Sequence, residues 1–185
     1  MGNWLNLYRP VLSIPIRLKT ILLMMHKFYA LLICLFAFSA LQPAQAQSQA
    51  KTVKKLPEFS FYDLNGKVFT SKQLKYDKYL MVVYFDPDCE HCNAQAERIV
   101  KNISKFKGVT MVWLSIGDPG MMKDFKNKYF ANNKQVIFLH DPAMNIFKAF
   151  PDAIETPTTY IYNKNKVQIA KLGECDAEAI YKNFK

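Results

Sequence analysis

The chain has 185 residues, half of them hydrophobic, which is enough for one domain with a sizeable core. Its formal charge is +10, but residues 1–46 carry Arg9, Arg17, Lys19 and Lys27 and no acid; the rest holds 21 basic against 15 acidic residues, or +6. The lysines of "KTVKK" have no interleaved aromatics, so the basic balance reads as a solvated tail and not as a nucleic-acid surface.

In chain order, "MMHKFYALLICLFAFSALQPAQAQ" comes first. Lys27 provides a short basic region, Phe28 to Leu41 an apolar run, and Ala44-Gln45-Ala46 an A-x-A cleavage pattern. The run is shorter than the roughly 20 residues a membrane span needs. Residues 1–46 are therefore expected to be a secretory signal cut before Gln47, with Met24 or Met25 as an alternative start and residues before it as an extension. The rival is an uncleaved anchor, because residues 11–41 are apolar overall; only then would the protein meet the membrane. Cys34 leaves with the signal, and Ile33 stands where a lipoprotein site needs a small residue. The expected location is the periplasm or another extracytoplasmic space. Residues 47–55 read as a linker.

From residue 56 to 185 the pattern is that of one domain. "FSFYDLNGKVFT" predicts two short strands turning at Asn65-Gly66. "YLMVVYF" is a continuous apolar run suited to a strand covered on both faces. Residues 90–106 follow as a helix with Ala94, Ile99, Ile103 and Phe106 on its apolar stripe. "VTMVWLSI" is the next buried strand, and Asp118-Pro119-Gly120 opens a helix to about Phe130. "VIFLHD" predicts a strand, with His140 at the turn after it. Pro142 to Phe150 predicts a helix, "TTYIYN" and "VQIAKLG" an antiparallel hairpin, and residues 176–184 a last helix. Strands alternating with helices imply an α/β sandwich with parallel pairs and an antiparallel edge.

The chemistry concentrates in "VVYFDPDCEHCNAQ". Cys89 and Cys92 join a strand to a helix. Unpaired N–H groups and the positive end of the helix dipole stabilise a thiolate there. Cys92, one turn in, can close a disulfide with Cys89, so the first thiolate attacks a substrate disulfide and the second resolves the product. His91, when protonated, favours the thiolate; Glu90, Asp88 and Asp86 oppose it. The residues alone also admit half of a metal site or a structural disulfide. A closed zinc site wants four ligands, however, and no second C-x-x-C is present. No metal and no cofactor are expected. Cys175, after the last strand, returns to the same end of the sheet as a spare or third thiol.

The element order, Cys89-Glu90-His91-Cys92 after a buried strand, and Thr156-Pro157 before the final hairpin resemble the thioredoxin superfamily over about residues 56–185. The helix and strand between Pro119 and Leu139 are similar to the insertion of TlpA-like thiol-disulfide oxidoreductases and of peroxiredoxins, the AhpC/TSA and Redoxin relatives. The resemblance implies a thioredoxin-like three-layer sandwich with a mixed sheet and an inserted helix–strand unit. It implies a cis Pro157 facing the cysteines, with Thr156 and Pro157 aligning substrate. It implies exchange with protein thiols and disulfides and with a separate redox partner. The sequence departs from thioredoxin in three ways. Asp88 replaces the tryptophan before the first cysteine, Glu90-His91 replaces Gly-Pro, and Val83 stands where a buried acid moves protons; Glu97 is the candidate substitute. A peroxidase of the peroxiredoxin type is the alternative, weakened because Asp86 stands at the expected Thr or Ser and Pro87 is only two residues before Cys89. A redox-inert thioredoxin-like binding module is the non-enzymatic alternative.

Overall fold

A computed structural model describes residues 53–184. The signal pattern in residues 1–46 and most of the linker lie outside the described residues. Seven strands are present: β1 (Ser60–Asp63), β2 (Val68–Thr70), β3 (Tyr79–Tyr84), β4 (Val109–Ser115), β5 (Val136–His140), β6 (Thr158–Asn163) and β7 (Gln168–Leu172). The helices are α1 (Glu90–Lys101), α2 (Pro119–Phe130), α3 (Ile146–Ala149) and α4 (Ala177–Tyr181). The strands form one sheet in the order β2-β1-β5-β4-β3-β6-β7. β3, β4 and β5 run parallel, while β6 is antiparallel to β3 and β1 to β5. This is the mixed α/β sheet of the thioredoxin fold, with α2 and β5 as the inserted unit.

β3 explains the layering. Its side chains alternate between faces. Met81 and Val83 join Met111, Trp113 and Ile161 under Cys92, Ala96 and Ile99 of α1, Met122 and Phe125 of α2, and Ile180 of α4. Leu80, Val82 and Tyr84 join Leu114, Tyr160 and Tyr162 under Phe59, Leu74, Ile146 and Phe150 on the other face. A strand buried on both faces needs the unbroken apolar run that "YLMVVY" supplies. Trp113 anchors the first layer, with Phe85, Phe125, Phe130 and Phe138 around its ring at centroid distances of 5.2–6.3 Å.

The first hairpin turns through Gly66 at φ +80°, where the absence of a Cβ removes the steric cost. Asp63 Oδ1 accepts the N–H groups of Asn65 and Lys67 and closes the loop. Residues 54 and 55 lie along the opposite edge: Lys55 bridges Val167, and Gln168 N donates to Lys54 O at 2.8 Å.

Three helices are shorter than their sequence patterns suggest, α4 among them, which spans Ala177–Tyr181 and not residues 176–184. α1 ends at Lys101 because Asn102 leaves helical geometry at φ −115° and folds its amide back onto Arg98 O at 2.9 Å; Ile103–Phe106 is a separate 3₁₀ turn that buries Phe106. The expected helix from Pro142 reduces to Ile146–Ala149. The buried Asp141 carboxylate accepts the Ile146 N–H at 2.6 Å, and Met144 takes φ +54°, so residues 142–145 form a turn instead.

Candidate functional site

β3 ends at Tyr84, and Phe85 still pairs with β4, donating to Leu114 O at 3.0 Å. The chain then turns sharply through Asp86-Pro87-Asp88. Asp86 Oδ1 accepts the Asp88 N–H at 3.0 Å, and Asp86 O accepts the Cys89 N–H at 3.2 Å. Cys89 is thereby set at the N-cap of α1 with extended backbone, φ −76° and ψ 121°. Asn93 locks this turn. Its amide donates to Pro87 O at 3.1 Å and Cys89 O at 3.0 Å, and its Oδ1 accepts the Tyr129 hydroxyl of α2 at 2.9 Å.

The two cysteines occupy different environments one helical turn apart. Both are free thiols; Cys89 is partly exposed and Cys92 fully buried. Across from them, the Thr156–Pro157 peptide bond is cis, and Cys89 Sγ lies 3.8 Å from Thr156 O. The sequence-predicted Cys89, Cys92, Thr156 and Pro157 are thus brought together from positions 67 residues apart.

Burial alone would push the Cys89 thiol up. Hydrogen bonds from the Cys92 and His91 backbones, the Cys92 thiol and the Thr156 side chain outweigh it, and the group falls below its ordinary value. Burial pushes Cys92 up to about 12, with the neighbouring Cys89 sulfur adding to the rise. Val83, beneath Cys92 in the same buried layer, offers no carboxylate to take its proton. One sulfur of the pair is set up to ionise and the other to stay protonated.

His91 is exposed, and its Nδ1 pairs with Glu174 Oε2 at 2.6 Å. Glu90 is exposed on the first turn of α1. Glu97 is not brought to the cysteines. It stands on the outer face of α1, paired at 2.8 Å with Lys101, which holds its carboxyl low; the buried stripe of α1 is Cys92, Gln95, Ala96 and Ile99. Cys175 lies half-buried at the edge of the same layer, its thiol raised by burial and by Asp176. His140 ends β5, paired with Tyr62 and Ser115.

Sequence reasoning missed Gln95. It is fully buried, donates to Thr159 Oγ1 at 3.0 Å and accepts the Cys175 N–H at 3.4 Å, fastening α1 to β6 and to the segment before α4. The signal was a polar side chain interrupting the apolar face of α1. Among the described residues there is no group of three or more His, Cys, Asp or Glu side chains arranged to hold a metal ion. Among the same residues no helix is long and apolar enough to cross a membrane.

The Redoxin family model matches residues 51–179. No curated protein matches this chain. Among solved structures, the chain is similar to a secreted Mycobacterium tuberculosis disulfide oxidoreductase homologous to E. coli DsbE, with 21% identity, a TM-score of 0.56, and 68% of this chain and 93% of that one covered. It is similar to M. tuberculosis DsbF, with 20% identity, a TM-score of 0.59, and 72% and 97% covered. It is also similar to BsSco, a member of the Sco family of cytochrome c oxidase assembly proteins, with 16% identity, a TM-score of 0.55, and 72% and 92% covered. At these identities the likeness is one of fold. The chain belongs to the Redoxin family and has the fold of the thioredoxin-like disulfide oxidoreductases.

Proposed function

We propose that this protein is a thiol-disulfide oxidoreductase that exchanges disulfides with protein substrates outside the cytoplasm, with Cys89 as attacking nucleophile and Cys92 as resolving thiol. The observation that carries this reading is the geometry of the pair beside the cis Thr156–Pro157 bond: a partly exposed sulfur at the N-cap of α1, 3.8 Å from Thr156 O, and one turn deeper a fully buried sulfur whose burial pushes its thiol up to about 12. In the reducing direction the Cys89 thiolate attacks one sulfur of a substrate disulfide. A mixed disulfide forms and one substrate thiolate leaves. Cys92 then attacks the Cys89 sulfur, and the second substrate thiolate leaves. Two electrons pass from the pair to the substrate, the pair ends as a disulfide, and the Cys92 proton passes to the departing sulfur or to water. The reverse sequence oxidises a dithiol.

The first step prepares the second. Once Cys89 is bonded to substrate it carries no negative charge, so its contributions to the high Cys92 value vanish. The hydrogen bonds from the Asp86 backbone and the Thr156 side chain, which favour a Cys92 thiolate, remain. This ordering supplies a route to resolution without the carboxylate that Val83 replaces. We assign Thr156 and Pro157 to substrate alignment; the Thr156 carbonyl, 3.8 Å from Cys89 Sγ, is close enough to meet a segment that brings its disulfide to that sulfur.

A peroxidase reading has less support, since Asp86 spends its carboxylate on the Asp88 N–H and presents no hydroxyl at the position a peroxiredoxin uses. The test is turnover of a protein disulfide by the wild type and by variants at Cys89 and Cys92, beside a hydrogen-peroxide consumption assay. Cys89-dependent peroxide turnover without disulfide exchange would overturn the proposal. The extracytoplasmic assignment rests on the signal pattern before Gln47; N-terminal sequencing of the exported protein is expected to begin at Gln47, and a retained residue 1–46 segment would contradict cleavage.

A further inference from the structure

Glu174 lies 83 residues from His91 in sequence, yet its carboxylate reaches back to α1 at two places. Oε2 accepts His91 Nδ1 at 2.6 Å, and Oε1 accepts both terminal nitrogens of Arg98 at 3.2–3.3 Å. The backbone of the next residue is fixed as well. Arg98 also donates to Cys175 O at 3.3 Å, and Cys175 N donates to the buried Gln95 amide at 3.4 Å. The segment between β7 and α4 is thereby clamped along α1, and it delivers a negative charge to the one residue between the cysteines that can be positive.

We infer that Glu174 is a positioning residue that holds the His91 side chain and neutralises its charge, so that the Cys89–Cys92 couple is less oxidising than the C-E-H-C sequence alone would make it. The inference rests on the proposed role of Cys89 and Cys92. A free imidazolium beside Cys89 favours the thiolate, and with it the dithiol form. Paired with a carboxylate, it presents a dipole in place of a charge. Asp86, Asp88 and Glu90 lie on the turn that carries His91; Glu174 meets it from the β7–α4 segment, and Arg98 stands on the far side of Glu174. Asp86, Asp88 and Glu90 are unchanged by its replacement, whereas Arg98 loses its carboxylate partner; the His91→Ala background carries the same loss and so separates it from the effect on His91.

The reaction to measure is protein dithiol plus oxidised glutathione going to protein disulfide plus two reduced glutathione. It is measured from about pH 5 to pH 8, the range over which an imidazole gains its proton, on the wild type, Glu174→Gln, His91→Ala and the double variant. Half-exposed ion pairs are worth little, so the expected effect of Glu174→Gln is a fall of about two- to fivefold in the equilibrium constant for oxidation. In the His91→Ala background the same replacement is expected to change nothing further. A Glu174→Gln constant equal to or above wild type overturns the inference, and so does a shift that persists without His91. If no Cys89–Cys92 disulfide forms at any glutathione ratio, the proposed function falls with it; if the disulfide forms and Glu174 has no effect, this inference alone falls.

Discussion

Replacing Cys89 by serine is expected to lower protein-disulfide turnover by about three orders of magnitude or more, with the fold intact. The size follows from chemistry. A serine hydroxyl does not ionise near neutral pH and attacks sulfur poorly, whereas the Cys89 thiol is already biased toward its thiolate by the Cys92, His91 and Thr156 hydrogen bonds. The site should survive the change, because Asp86, Asn93 and Tyr129 fix the Cys89 backbone without using its side chain. Circular dichroism and thermal unfolding separate loss of chemistry from loss of structure. Full activity in Cys89→Ser would remove the nucleophile from the account.

Cys92→Ser is expected to fail differently. The Cys89 thiolate remains, attacks, and stops at the mixed disulfide, so a covalent adduct with substrate accumulates while multiple turnover falls by about a hundredfold or more. The adduct is read on a non-reducing gel or by mass, and it disappears with dithiothreitol. Cys92 is fully buried, so a serine there places a hydroxyl in an apolar layer at a cost of about 1–3 kcal/mol. Cys92→Ala avoids that cost and is expected to trap the same adduct. If both variants turn over freely and trap nothing, Cys92 is not the resolving thiol.

Much of the fold is legible in the residues because the apolar runs are unambiguous. "YLMVVY" and "VTMVWLS" leave no polar position for a solvent face, and a strand of that kind belongs in the middle of a covered sheet. The cysteine spacing and the Thr156-Pro157 step were equally plain, and they meet across the head of α1. What was not legible depends on long-range partners. Pro142 to Phe150 has a helical pattern, but the Asp141 carboxylate captures the Ile146 N–H and holds the first half as a turn. Glu97 is a different case: helical spacing alone sets it off the face that carries Cys92, Gln95, Ala96 and Ile99, and it pairs locally with Lys101 on the solvent side. Glu174 carries no signal in the sequence near His91; only the return of β7 to the same end of the sheet brings it there. Gln95 was missed because the stripe read from the sequence ran through Ala94, Ile99 and Ile103, whereas the buried face of α1 is Cys92, Gln95, Ala96 and Ile99, and its partners Thr159 and Cys175 are brought there only by the fold.

The central claim is that Cys89 is the one ionised, reachable sulfur of the pair, and residue-resolved alkylation of the reduced protein across pH tests it most directly. A thiol near 12 is about 10⁻⁴ thiolate at pH 8, so Cys92 should react last and slowly. Cys89 should be modified first, with a rate midpoint below that of a thiol in an unstructured peptide carrying the same residues, measured alongside. First modification at Cys92 or Cys175, or a Cys89 midpoint at or above that of the peptide, would contradict the account.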